Sequence, residues 1–171
     1  MSLPGSTYIY QGEELGLPEV WDLPPEVLDD PTWERSGRTE KGRDGARVPI
    51  PWTADGPSFG FGQLAPWLPQ PETFGALSAE AQQADEDSML HLYRRAIQLR
   101  REHFGLSLRF SMVEAGEGIL HFRHGDVEVI ANMGDSPIPI PTPHGEVLLT
   151  SQALLGDVLA PNMSIWIASA S

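Results

Sequence analysis

The sequence has no cysteine, few basic residues and no long apolar run. The absence of cysteine excludes disulfides, thiolate catalysis and cysteine-ligated zinc. Eleven Lys and Arg stand against 24 Asp and Glu, and the formal net charge of −13 disfavours nucleic acid and anionic membranes as partners. No run approaches the roughly 20 apolar residues of a membrane-spanning helix. No signal peptide precedes the first apolar segment, so we expect a cytoplasmic protein.

The length and composition predict a soluble globular chain. Its sequence divides into three parts of different composition. With 171 residues, 40% of them apolar, it has the length of one ordinary domain. In the first part, the β-branched and aromatic run "TYIY" follows Pro4 and Gly5 and ends at Gly12. This run predicts one short buried strand over residues 7–10. A single strand needs neighbours to form a sheet.

The second part, residues 15–77, is rich in proline, glycine and tryptophan and has almost no periodicity. An irregular stretch of this length inside a compact domain indicates a functional loop or a piece of something larger. Within it lies "GRDGARVPIPW", which holds three charged residues between and after two glycines and then continues through two prolines. Gly42 and Gly45 permit a tight path, and Pro49 and Pro51 remove freedom after it.

The third part begins with a helical pattern and changes to a strand pattern. Residues 78–105 carry apolar side chains at helical spacing, with acidic residues early, arginines late and Gly105 at the end, which predicts one long helix. From Leu106 the period drops to two, as in "GILHFRHGDVEVIAN", "EVLLTS", "DVLA" and "SIWIAS". This pattern predicts about six to eight short antiparallel strands in a small sandwich.

Four strings occur in an order and spacing that resemble one family. "YIYQGEELGL", "GRDGARVPIPW", "PWLP" and "DSMLHLYRRAIQLRREH" resemble the C-terminal region of α-glucosidases of glycoside hydrolase family 13, the α-amylase family, of oligo-1,6-glucosidase type. The second string is similar to the family's "RDxxRxPMQW", with "PIPW" in place of "PMQW". Around the first, Thr7 stands where the family has proline. The resemblance covers nearly the whole chain.

The resemblance implies an α+β fragment. Residues 1–105 are expected to hold the last strand, the long loop and the last helix of a (β/α)8 barrel, and residues 106–171 a small all-β antiparallel sandwich domain. In this family the catalytic carboxylates lie on earlier barrel strands, which the resemblance does not reach. Residues 1–3 are typical of an added start, so we expect a fragment that is inactive by itself.

The resemblance also implies the function of the intact enzyme. It would hydrolyse terminal α-glucosidic bonds of small oligosaccharides with retention, without a cofactor. Glucosyltransferases and sugar isomerases of the same family share this part of the chain and remain alternatives. From another class, a non-catalytic sugar-binding or structural module also remains open. Neither 1→4 nor 1→6 linkages are favoured by the residues present.

Candidate site residues follow from the motif and from the chemistry. Arg43 matches the first motif arginine and is expected to bind the inner sugar, because a guanidinium donates hydrogen bonds in a fixed geometry. Asp44 and Arg47 are expected to brace the loop, and an ion pair without ligand contact is the alternative for Arg43. Glu13 and Glu14 are neighbours on an extended segment and point to opposite sides, so they are not a catalytic pair. Glu14 is expected to brace the barrel mouth.

The tryptophan and histidine side chains are also candidates, for sugar stacking and for metal binding. Trp21, Trp33, Trp52 and Trp67 either pin the long loop by packing or form an outer surface for sugar stacking. His121 and His124 lie three apart on a strand and its turn, so they face different ways and are not expected to bind metal. A strand at residues 7–10 and a helix face near Met89 that lack their barrel neighbours predict self-association through exposed apolar surface.

Overall fold

The computed structural model describes residues 1–105, 107–141 and 145–168. Leu106, the predicted start of the β domain, lies outside the described residues, as does Ser169 at the end of "SIWIAS". The chain forms two compact units. One comprises Tyr8–Tyr93, and the other comprises Met1–Thr7 with Arg94–Ser171. The boundary between a barrel part, residues 1–105, and a β domain, residues 106–171, stays a prediction.

The unit Tyr8–Tyr93 is built from short helical turns joined by irregular chain. Its regular elements are the 3-10 turns Glu13–Leu15, Pro25–Val27, Asp44–Ala46, Pro57–Gly60 and Glu72–Phe74, the helices α1 (Pro31–Arg35) and α2 (Ala79–Gln83), and the beginning of α3 (Met89–Leu99). Its apolar core is small and aliphatic, with one aromatic ring: Val20, Leu23, Val48 and Phe74. The predicted irregular character of residues 15–77 is confirmed.

The prediction of a buried strand over residues 7–10 was wrong for the chain as it stands. These residues have no strand assignment, and Tyr8 is 90% exposed. A strand exists only when a neighbouring strand accepts and donates its backbone hydrogen bonds, and the described residues provide none here. Ile9 and Tyr10 are also exposed, so the predicted apolar surface is present.

The prediction of one continuous helix over residues 78–105 was also wrong. Helix α2 ends at Gln83, a turn follows, and α3 begins at Met89. The Ser88 hydroxyl donates to the Gln82 carbonyl at 2.8 Å, and the Asp85 carboxylate accepts from the Asp87 N–H at 3.0 Å. Serine and aspartate side chains here replace the helical hydrogen bonds of the backbone. The acidic residues therefore precede α3 rather than lie in its first turn.

The end of the helix is where the sequence predicted it. Residues Arg100–Phe104 form a π-helical turn, and the Gly105 N–H donates to the Arg100 carbonyl at 3.2 Å. Gly105 has φ = +48°, which a glycine adopts without strain. Of the predicted apolar face, Ala96 and Leu99 are buried, whereas Met89 is 40% exposed.

Among its described residues, the second unit has seven antiparallel strands. They are β1 (Phe110–Met112), β2 (Ile119–His124), β3 (Val127–Asn132), β4 (Ile138–Pro139), β5 (Val147–Thr150), β6 (Val158–Leu159) and β7 (Met163–Ala168). Five form a sheet in the order β1-β2-β3-β7-β5, and β4 pairs with β6. The β2–β3 hairpin turns at Gly125, as its alternation predicted. The α+β class with an antiparallel sheet is confirmed.

The five-stranded sheet buries both faces. One face places Phe122, Val129 and Trp166 against Ala96, Leu99 and Phe104 of the helical segment. The other places Ile130 of β3 and Met163, Ile165 and Ile167 of β7 against Ile140 and Leu159. Alternate residues of each strand point to opposite faces, so the two-residue period of the sequence supplies both clusters.

The first residues of the chain belong to this unit through polar contacts. Arg100 donates to the Leu3 carbonyl at 2.9 Å and also to the carbonyls of Met1 and Gly5. His124 lies 2.8 Å from the Ser2 carbonyl through Nδ1. No helix among residues 1–105, 107–141 and 145–168 has the length and apolarity to cross a membrane.

Candidate functional site

Asp44 is the centre of a buried polar cluster in the unit Tyr8–Tyr93. It opens the 3-10 turn Asp44–Ala46, and 4% of it is exposed. Its Oδ2 accepts the N–H groups of Asp29 and Asp30 at 2.7 and 2.8 Å, and its Oδ1 accepts from Arg47 at 3.1 Å. The carboxylate therefore joins two segments of the loop that are 14 residues apart in sequence.

Asp30 is the second carboxylate of the cluster and is 2% exposed. Its Oδ1 accepts the Thr32 N–H at 2.9 Å and so caps α1, which begins at Pro31. Its Oδ2 lies 2.9 Å from Arg47 Nη1 and 3.4 Å from Arg43 Nε. The hydrogen bonds from Thr32, followed by those from Arg43, hold the pKa of Asp30 well below its ordinary range despite the opposing effect of burial. Asp30 is therefore ionised and is shared by both motif arginines.

Arg47 is held between the two carboxylates. Burial opposes its charge, but the hydrogen bond to Asp44 and the charges of Asp30 and Asp44 outweigh that effect and raise the pKa of Arg47. Its side chain is 36% exposed, and one nitrogen, Nη1, contacts both carboxylates. The guanidinium is thus occupied by the loop itself.

Arg43 differs from Arg47 in its exposure. Its side chain is 77% exposed, and its ion-pair contact with Asp30 is made through Nε at 3.4 Å. With so much of the side chain exposed, its guanidinium is accessible for donation to a ligand. Of the two motif arginines, Arg43 is the one whose donors remain accessible.

The glycines of the motif are required by close packing. Gly42 has φ = +72°, and a Cβ placed there would lie 2.6 Å from Asp30 Cγ. At Gly45 a Cβ would lie 2.5 Å from the Val20 carbonyl oxygen, while the Val20 N–H donates to the Gly45 carbonyl at 3.1 Å. Both contacts are too short for any side chain. The prediction that these glycines permit a tight path is confirmed.

Glu14 and Glu13 have different environments. Glu14 Oε2 accepts the Gly12 N–H at 2.9 Å and so fixes the turn after the predicted strand. Glu13 is exposed and lines a pocket of about 180 Å³ with Tyr10, Leu17, Glu19, Val48 and Phe74 among others. Burial first, and then the charges of Glu13 and Glu14, raise the pKa of the Tyr93 hydroxyl.

The tryptophans are more exposed than a packing role requires. Trp21, Trp52 and Trp67 are 72%, 53% and 69% exposed, and Trp33 is half-buried in α1. Trp67 Nε1 donates to the Val27 carbonyl at 2.9 Å, which fixes its ring while leaving it accessible. The loop core is formed instead by Phe74 and the three aliphatic residues around it. For the three exposed rings, packing of the loop is therefore the weaker interpretation, and an outer surface for sugar stacking is the stronger one.

The two histidines of β2 point to opposite faces of the sheet. His121 Nε2 lies 2.6 Å from Glu128 Oε1. His124 is stacked on Phe104 at 4.6 Å and lies between the carbonyls of Ser2 and Ser107. Within the described ranges, no group of three His, Asp or Glu side chains is arranged to hold a metal ion.

Sequence reasoning brought Arg43, Asp44 and Arg47 forward but missed Asp30. The structure places Asp30 in contact with both arginines, while Glu14 serves a separate turn. A signal for Asp30 was present in the sequence. The order Asp30-Pro31-Thr32 is typical of a helix N-terminus, with an acidic cap followed by proline.

Relatives of known type match the chain in sequence and in structure. A probable α-glucosidase of Rhizobium meliloti (strain 1021) is 38% identical over 140 residues, which are 79% of this chain and 25% of that protein. Probable oligo-1,6-glucosidase 3 of Bacillus subtilis (strain 168) is 35% identical over 117 residues, 59% of this chain and 21% of that protein. The chain thus spans about a quarter of the length of these relatives.

A solved structure extends the match to almost every residue. The crystal structure of the α-glucosyl transfer enzyme XgtA superimposes with a TM-score of 0.80 and 32% identity, covering 99% of this chain and 34% of that one. The family model "Alpha amylase, catalytic domain" matches residues 1–108. This chain therefore belongs to the α-amylase family, with curated relatives of the α-glucosidase and oligo-1,6-glucosidase type.

Proposed function

We propose that this chain is the C-terminal part of a retaining α-glucosidase and supplies an arginine to its inner sugar subsite. The observation that carries the proposal is the difference in exposure among the charged side chains of the motif loop, which is residues 42–52 together with Asp30, their buried partner. Asp30, Asp44 and Arg47 hold the loop from within, while Arg43 is 77% exposed. A loop that is fixed by buried charges and presents one accessible guanidinium fits the binding of a neutral, hydroxyl-rich ligand.

Arg43 would act by positioning. Sugar hydroxyls accept hydrogen bonds from the accessible guanidinium, and Asp30 limits the freedom of the side chain. The exposed face of Trp67 is suited to stacking on the apolar face of an outer sugar ring. The substrate class would be α-linked glucose oligosaccharides, in keeping with the names of the relatives.

The carboxylates of the candidate site, as far as the described residues go, are engaged by the chain itself rather than arranged for catalysis. Retaining hydrolysis uses two carboxyl groups about 5 Å apart that face one sugar. Here Asp30 and Asp44 are bound to backbone amides and arginines, and Glu14 is bound to Gly12. We therefore propose that the nucleophile and the acid/base group are supplied by an upstream part of the enzyme and that this chain is inactive alone.

The remaining parts of the chain would have supporting roles. The five-stranded sheet and the β4–β6 pair would form the sandwich that covers the end of the barrel and keeps the last helix in place. The exposed side chains of Tyr8, Ile9 and Tyr10 would lead to self-association when no barrel neighbour is present. A cytoplasmic location is part of the same proposal.

The test is the hydrolysis of p-nitrophenyl α-glucoside. We expect no release of nitrophenol by the purified chain and recovery of activity after mixing with the upstream three quarters of the Rhizobium meliloti relative. The variant Arg43→Lys in the mixture is expected to raise KM roughly tenfold, because a lysine does not reproduce the fixed donors of arginine. Turnover by the chain alone would contradict the proposal, as would an unchanged KM in the variant.

Glucosyl transfer is the second candidate, favoured by the match to the α-glucosyl transfer enzyme at 32% identity. In the reconstituted enzyme, the glucosyl group held covalently by the upstream nucleophile would pass to a sugar acceptor instead of water. Products of maltose turnover in the presence of excess glucose separate the two functions. Oligosaccharide formation that exceeds net hydrolysis would assign transfer, whereas glucose as the main product would support the hydrolase.

A further inference from the structure

The sequence contains two Asp-Gly dipeptides in the same irregular region, and the structure treats them in opposite ways. They are Asp44-Gly45 in the motif loop and Asp55-Gly56 in the following segment. An aspartate followed by glycine is prone to cyclisation because glycine has no side chain to hinder attack by its own amide nitrogen on the aspartate carboxyl group. Because the two dipeptides have the same residues, a difference in their cyclisation rates would report on their structural environments.

Asp44 is protected on every side. Both carboxylate oxygens accept hydrogen bonds, from Asp29 N–H, Asp30 N–H and Arg47. Gly45 packs against Val20 so closely that a Cβ would be 2.5 Å from its carbonyl oxygen. The Asp44 carboxyl group cannot rotate toward the Gly45 nitrogen without breaking these contacts. Cyclisation there requires local opening of the loop.

Asp55 has none of this protection. Asp55 is exposed, and its main-chain carbonyl accepts the Thr53 hydroxyl at 2.7 Å, but among the described residues its carboxylate receives no hydrogen bond. Gly56 is exposed, has φ = +86°, and has no atom within 4 Å of the place a Cβ would occupy. The Gly56 N–H likewise has no acceptor among the described residues. Both reacting groups are thus free, and there is space around them.

We propose that Asp55-Gly56 is a site of spontaneous isoaspartate formation in the folded protein, whereas Asp44-Gly45 is not. The Gly56 nitrogen attacks Asp55 Cγ and forms a C–N bond, and one carboxyl oxygen leaves as water with the amide proton. Water then opens the five-membered succinimide ring. Cleavage at the side-chain carbonyl restores aspartate, and cleavage at the main-chain carbonyl gives isoaspartate. The water released on ring closure is matched by the water consumed on ring opening, and no oxidant is needed.

The modification changes the backbone at a turn that is otherwise well fixed. Isoaspartate adds one methylene group to the main chain and moves the carboxylate to the α-carbon. Directly before the site, the Ala54 N–H donates to Glu80 Oε2 at 2.8 Å, and directly after it the 3-10 turn Pro57–Gly60 begins. The N–H groups of Trp52 and Thr53 both donate to the Phe59 carbonyl across this turn. The longer backbone is therefore expected to loosen the support of Trp52.

The experiment is ageing of the intact chain at neutral pH and warm temperature in heavy-oxygen water. Protein isoaspartyl methyltransferase with labelled methyl donor counts the isoaspartate, and peptide mass spectrometry locates it by the incorporated oxygen. The protease Asp-N adds a second readout, because it does not cut at isoaspartate. We expect accumulation at residue 55 and, at residue 44, a rate at least about tenfold lower, because reaction there waits for loop opening.

Two controls give the comparison its meaning. Ageing in denaturant removes the fold, and both dipeptides are then expected to react at similar rates. Asp55→Glu keeps the charge but would need a less favourable six-membered ring, so its signal at residue 55 is the background. Equal rates at the two sites in the folded chain would overturn the proposal, as would a signal at residue 55 no higher than this background. Neither outcome depends on the proposed glucosidase function.

Discussion

The motif loop and the β-sheet are stabilised by opposite means. In the loop, two nearly unexposed carboxylates hold two arginines and several backbone N–H groups around a core of only four apolar residues. In the sheet, alternating apolar residues form a cluster on each face, and the His121–Glu128 pair on β2 and β3 is its most buried ionisable contact among the described residues. Polar contacts fix a geometry but add little net stability, whereas apolar burial adds stability with less directional control. A loop that holds one exposed arginine in place needs polar contacts that fix its geometry.

The largest effect is expected from a cavity in the sheet. Phe122 is 1% exposed and packs in the cluster that joins the sheet to the helix. Phe122→Ala is expected to lower the free energy of unfolding by about 3–5 kcal/mol, because transfer and cavity terms add. Denaturant unfolding followed by circular dichroism measures it. Phe110→Ala, at a 39% exposed position on β1, is the control and should cost clearly less.

A comparable loss is expected in the loop when its central carboxylate is removed. Asp44→Ala leaves Arg47 without one partner and strands the N–H groups of Asp29 and Asp30. We expect a loss of roughly 3 kcal/mol, since buried charge networks are costly to break. Hydrogen exchange at residues 29 and 30 should rise while exchange in β2 and β3 stays unchanged. Equal acceleration in the sheet would contradict the separation drawn between the two regions.

The same contrast predicts a pH dependence that belongs to the loop. The folded-state pKa of Asp30 lies well below its ordinary value of 3.8. Its contribution to stability is therefore fully present above that value and is lost as pH falls through the lower, folded-state pKa. Between pH about 5 and 2, Asp30→Asn should lose less stability than the unsubstituted chain. Parallel acid-unfolding curves for the two proteins would show that Asp30 is not linked to folding in this way.

What the sequence could predict follows the same division. The β2–β3 hairpin was readable because a two-residue period and Gly125 are local signals. The link from Asp44 to Asp30 was not, because it joins residues 14 apart through side-chain bonds that no periodicity encodes. The break between α2 and α3 was not predicted for a related reason. The Ser88 hydroxyl donates to the Gln82 main-chain carbonyl at the end of α2, and Gln82 Oε1 accepts the Leu90 N–H at the start of α3. The strand at residues 7–10 needs partners that its own residues cannot supply.

A smaller effect separates close packing from open space among the glycines. Gly45→Ala forces a Cβ to within 2.5 Å of the Val20 carbonyl oxygen, which is expected to cost about 1–3 kcal/mol. Gly62 has no atom within 4 Å of the position that a Cβ would take, and its φ is not positive. Gly62→Ala is therefore the matched control and should be neutral or slightly stabilising. Exchange of the Val20 amide reports the damage directly, and an unchanged Val20 amide in Gly45→Ala would refute the close contact.

The smallest effect is expected where charges pair in solvent instead of in the loop interior. Arg38 and Glu34 lie 2.9 Å apart, four residues apart in sequence, with side chains 67% and 69% exposed. Water screens such a pair and side-chain entropy opposes it, so Glu34→Gln should change stability by less than about 0.5 kcal/mol. Urea unfolding at low and at high salt provides the measurement. A loss as large as that of Asp44→Ala would mean that the exposed Arg38–Glu34 pair and the buried Asp44–Arg47 pair contribute equally. Burial would then not explain the stability of the motif loop.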